Sequence, residues 1–116
     1  MKIHQRRAVA FADIRKLRDN PIMSGASYMR VRWLHDHPNE PVDLWSELDD
    51  QRFEVRKVEI WRDGRVGFAA RDRESGGTLL GTVAMPSLSE IAANPEFEPE
   101  EISGVEFEAC WQANVR

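Results

Sequence analysis

Two histidines flanking an aspartate, His35-Asp36-His37, are the side chains of this sequence whose types and spacing most resemble a reactive site. On an extended strand, residues i and i+2 share a face, so both imidazoles would point one way and could ligate a divalent metal. Such a centre asks for three or four ligands, and Asp36 and Glu40 are the nearest further donors. Asp36 points to the opposite face unless the strand has already ended there. His4 is the only other histidine and Cys110 the only cysteine, so no distant His/Cys pair completes the set. The simpler expectation is that Asp36 caps the turn ahead of Pro38 while the histidines finish a strand. No cofactor and no metal are expected, and a small metal-dependent hydrolase using His35, Asp36 and His37 is the alternative function.

Other chemistries find less support. A nucleophilic Cys110 would need a base or cationic neighbours to lower its pKa. It stands instead in acidic surroundings, in the run Phe107-Glu108-Ala109-Cys110-Trp111, which reads as the buried side of a helix. Gly76-Gly77 lacks the spacing of a phosphate-binding loop and reads as a turn. The run Glu96, Glu98, Glu100 and Glu101 reads as a solvated connector, or as an acidic surface for a basic partner.

The elements that would position these residues follow from periodicity. Met29, Val31 and Trp33 alternate with Arg30 and Arg32, the signature of a half-buried strand, and Val42, Leu44 and Ser46 open a second. Phe53 and Val55 share one parity while Val58 and Ile60 share the other, which implies a β-bulge near Arg56-Lys57. Asp63-Gly64 signals a hairpin with a type I′ turn into "RVGFAA". "RDRESGG" reads as a loop, "TLLGTVAM" as a fifth, edge-like strand, and "PEFEPEE" as a connector pinned by Phe97 and Ile102. Ser87 with Glu90, and Ser103 with Glu106, form two capping boxes that start short helices. The expected architecture is α+β: an antiparallel four- to five-stranded meander followed by two short helices packed on one face.

The other face should then be charged, with Arg30 and Arg32 beside Arg52, Glu54, Arg56 and Glu59. Cross-strand ion pairing explains much of such a face. Arginine and tryptophan are also enriched at interface hot spots, so Arg30, Arg32, Trp45, Arg56 and Trp61 are the candidate binding residues.

At 116 residues the chain has room for one modest core, and no stretch approaches the roughly 20 apolar residues of a membrane span. A cytoplasmic location is expected. Residues 1–28 hold six Lys/Arg against two Asp/Glu, whereas the rest holds ten against eighteen, so the body should repel nucleic acid. Residues 1–27 form a basic segment, read as a helix over residues 5–19 followed by a flexible linker, with Met23 or Met29 as alternative starts. Residues 28–116 form the single domain.

The pieces "RVRWLHDHPNEPV", "SELDDQRFEVRKVEI" and "PEFEPEEIS", with the closing "EFEACW", resemble a family of small bacterial domains of unknown function. The resemblance implies a self-contained domain and carries no catalytic assignment. By analogy it implies an immunity- or antitoxin-like accessory protein. The sequence therefore favours a non-enzymatic, protein-binding domain with a basic protein partner, and its exposed edge strand leaves pairing into a homodimer open.

Overall fold

The computed structural model describes residues 25–115, and residues 1–24 of the basic segment expected over residues 1–27 lie outside that range. The described residues form six strands: β1 (Ser27–Trp33), β2 (Asp43–Leu48), β3 (Glu54–Ile60), β4 (Val66–Ala70), β5 (Arg73–Ser75) and β6 (Phe97–Ile102). They form one antiparallel sheet in the order β5-β4-β3-β2-β1-β6. Helix α1 (Leu88–Ala92) precedes β6, and α2 (Gly104–Asn114) follows it. Both helices start at the expected capping boxes, with Ser87 and Ser103 accepting from the backbone of Glu90 and Glu106.

The α+β class stands, with six strands rather than four or five. The additional strand is β6, in the segment expected to be a connector. Its glutamates and Pro99 are tolerated because it is an edge among the described residues: one side pairs with β1, from Tyr28↔Ile102 to Trp33↔Phe97, and the other pairs with no described strand. Phe97 and Ile102 anchor its two ends in the core. The opposite edge is also displaced from expectation. β5 lies in "RDRESGG", and residues 78–86 form no strand because part of their backbone bonds buried side chains instead of a neighbouring strand.

Two local features differ in detail. The register shift falls between Glu47↔Arg56 and Leu48↔Glu54, which makes Val55 the extra residue, just ahead of the expected position. At the β3–β4 hairpin only Gly64 has positive φ (94°), and both Gly64 N–H→Trp61 O and Trp61 N–H→Arg65 O are formed. That pattern is a type I turn closed by a glycine bulge rather than a type I′ turn.

The helices take different faces, not one. Ile91 of α1 joins Met29, Val31, Trp33, Leu44, Leu48, Met85 and Phe97 in the main apolar cluster. Phe107 of α2 packs on Tyr28, with ring centroids 5.7 Å apart. Tyr28 and Met29 are adjacent in β1 and so point to opposite sides of the sheet. The face expected to be solvated therefore lies partly beneath α2.

Candidate functional site

The side chains under α2 are held by paired charges and aromatic rings. Arg30 donates from Nε and Nη2 to the two carboxylate oxygens of Asp43, each at 2.8 Å, and its guanidinium lies 4.6 Å from the Trp45 ring centroid. The bond to Asp43 holds Arg30 above the ordinary arginine pKa. Arg56 reaches Glu47 on β2 and Glu108 on α2, and its guanidinium covers the rings of Phe107 and Trp111 at 5.0 and 4.9 Å. Burial pulls the Arg56 pKa down, but hydrogen bonds to Glu108 and Glu47 more than offset it and raise the value. Phe68 of β4 closes the layer edge-on against Trp111.

The five expected binding residues therefore do not make one open surface. Arg30, Trp45 and Arg56 lie in the layer between sheet and helix. Arg32 is exposed and lines an open pocket of about 480 Å³ with Leu34, Asp43 and Arg62. Trp61 sits at the β3–β4 hairpin, half-buried beneath the Arg65 guanidinium. The indole Nε1 atoms of Trp45 and Trp61 are both buried without an acceptor among the described residues.

Glu54 and Glu59, expected beside Arg30, are on the opposite face and buried. The bulge at Val55 turns Glu54 and Lys57 to the same side, where they form an ion pair of 2.9 Å. Lys57 Nζ also donates to Leu79 O, Gly81 N–H donates to Glu54, and Thr78 Oγ1 donates to Glu59 at 2.8 Å. A Cβ on Gly67 would lie 2.1 Å from Thr78 Oγ1, so only glycine lets the strap over β3 and β4 come this close. Sequence reasoning placed Glu54 and Glu59 on the solvated face. The signal for them was the parity switch itself, which carries Lys57 and Glu59 to the face of Met29 and Leu44.

The histidine pair is a turn. His35 Nε2–H donates to Pro41 O and Nδ1 accepts from His37 N–H, each at 2.8 Å, which fixes the tautomer and uses both ring nitrogens. Arg62 donates to His35 O and Arg65 to Pro38 O, so the same turn is bolted to the next hairpin. Among the described residues no three His, Cys, Asp or Glu side chains are grouped to hold a metal ion. Cys110 is half-buried, and burial pushes its thiol up to about 11, away from nucleophilic use.

The longest stretch of one charge sign lies at the β6 edge. Every charged side chain from Leu88 to Val115 is a glutamate, and Glu96, Glu98, Glu100, Glu101 and Glu106 are exposed. Among the described residues no helix is long and apolar enough to cross a membrane.

No curated protein and no solved structure matches the chain. One family model does, over residues 27–116, beginning at the first residue of β1 and covering both faces of the sheet. The chain belongs to that family, the domain of unknown function DUF6881.

Proposed function

We propose that this is a non-enzymatic protein-binding domain, an immunity- or antitoxin-like accessory of the bacterial cytoplasm, which takes a basic protein partner along β6. The exposed glutamates of that edge carry the reading. A strand with one side unpaired offers main-chain donors and acceptors to a partner, and its carboxylates attract and orient a basic surface. The arginines of the α2 layer serve the fold in this reading, with Arg32 left as the exposed cation of the expected set.

The test is capture from source cells at low salt with the native chain and with Glu98→Lys/Glu100→Lys side by side. A stoichiometric basic partner that the reversed variant loses, and whose association slows with salt, supports the proposal. A partner retained equally by both chains, or none at any salt, sinks it.

A further inference from the structure

The outer side of β6 carries more acceptors than donors. Trp33 N–H donates to Val42 O and Leu34 N–H to Glu96 O, which fixes the alternation of the two ladders on β1. By that alternation the main-chain groups of Glu98, Glu100 and Ile102 turn to β1, and those of Phe97, Pro99 and Glu101 turn outward. Pro99 has no N–H, and Phe97 N–H is taken by Asn94 O. Glu101 is left with the outward N–H of β6, whereas Phe97, Pro99 and Glu101 all present a carbonyl. Beside them stand the exposed carboxylates of Glu98, Glu100 and Glu101. Arg32 lies opposite Glu98 and Arg30 opposite Glu100, but Arg30 gives its fork to Asp43 and feels the Glu100 charge only through space. A strand laid on this side would set its own carbonyls against carbonyls. Side-chain cations, which only donate, suit it better.

The chain carries such a set of cations next to the edge. Residues 1–24 hold Lys2, Arg6, Arg7, Arg15, Lys16 and Arg18 against Asp13 and Asp19. They lead into β1, whose Tyr28 pairs with Ile102 at the end of β6. The chain from Arg15 to Gly25 reaches up to about 35 Å when extended, and β6 with its six residues is about 20 Å long. Arg15, Lys16 and Arg18 can therefore meet any of the three glutamates. A tether this short gives an effective concentration of about a millimolar or more, so weak ion pairs suffice. The acids nearest the tether are less available: Asp49 accepts from Gln51 and Phe53 N–H, and Asp50 Oδ2 is buried. We propose that residues 1–24 occupy the β6 edge of the free chain, with Arg15, Lys16 and Arg18 on Glu98, Glu100 and Glu101. A basic partner then binds by displacing them. The contact needs no other protein, so it fails or stands apart from the partner reading of the same edge.

The test is zero-length coupling of amines to carboxylates by a carbodiimide, on an equal mixture of unlabelled and nitrogen-15-labelled full chain, mapped by mass spectrometry. The lysines of the sequence are Lys2, Lys16 and Lys57, and Lys57 is 1% exposed, so the report comes from the segment. Lys16 should couple to Glu98, Glu100 or Glu101 within one chain, and the yield should fall several-fold at about 0.5 M salt. With glycinamide added as the amine, amidation of the same glutamates should rise several-fold in Arg15→Gln/Lys16→Gln/Arg18→Gln. Coupling shared equally with Asp49 and Asp50, coupling between labelled and unlabelled chains, no coupling, or amidation unchanged in the variant would each overturn the proposal.

Discussion

Lys57 and Glu54 form an ion pair of 2.9 Å on the α1 side of the sheet, with both side chains 2% exposed. Each also holds the strap above it, Lys57 through Leu79 O and Glu54 through Gly81 N–H. The pair therefore does for residues 78–81 what a ladder of backbone hydrogen bonds would do for a strand.

Removing one partner leaves the other charge buried and uncompensated, which typically costs about 3–5 kcal/mol. Glu54→Gln and Lys57→Met should each destabilise the domain by an amount near that range in urea unfolding. The double variant should cost clearly less than the sum, because it strands neither charge. Additive losses would show that the two side chains act separately.

Arg56 joins β3 to both Glu47 and Glu108, so it fastens α2 to the sheet. Arg56→Ala should cost about 2 kcal/mol, a figure reduced for the partial exposure of the cluster, and should shift the fluorescence of Trp111 toward that of a hydrated indole. Arg56→Lys should recover less than half of the loss, since an ammonium cannot fork between two carboxylates while covering two rings. Unfolding curves unchanged by Arg56→Ala would remove it as the fastening of α2.

The histidine turn separates a structural from a metal role. His35→Ala removes two hydrogen bonds and should cost about 1–2 kcal/mol, whereas His37→Ala, whose ring has no such partners among the described residues, should stay within about 0.5 kcal/mol. Added zinc should leave the Tm of the native chain unchanged. A zinc-dependent rise lost in both variants would restore the hydrolase alternative.

Burial raises the Cys110 thiol from 9.0 to about 11. The folded chain thus favours the neutral thiol. The stability this contributes is complete below about pH 9 and is lost as the pH rises toward 11. Alkylation by iodoacetamide should accordingly reach half its limiting rate near pH 11 in the folded protein. A midpoint near 9 would mean that the thiol is solvated.

Much of this fold is legible because its signals are local. The alternation from Met29 to Trp33, the two capping boxes and the parity switch in β3 each depend on a few neighbouring residues, and each gives the right element. β6 was hidden because its glutamates and Pro99 look like a connector until β1 is known to lie alongside. The α2 layer was hidden for a similar reason. Arg30, Trp45 and Arg56 have the composition of a docking surface, and only the return of the chain after Gly104 shows that Phe107, Glu108 and Trp111 already occupy it. Periodicity put Arg52 on the charged face beside Arg30, whereas its left-handed backbone sends the side chain across to Met85 O and Pro86 O, and a backbone angle leaves no periodic trace.

The pairing of β1 with β6 also governs how the molecule comes into being. The first of the described strands, β1, has its last neighbour nearly seventy residues downstream, from Tyr28↔Ile102 to Trp33↔Phe97. Until that neighbour is made, β1 presents an open edge, and the ring layer around Phe107 has nothing to close it. Closure by so distant a pairing is entropically late and slow, and it exposes the nascent sheet to strands of other chains. The glutamates of β6 arrive with the closing strand, so the edge that finally remains open is a charged one.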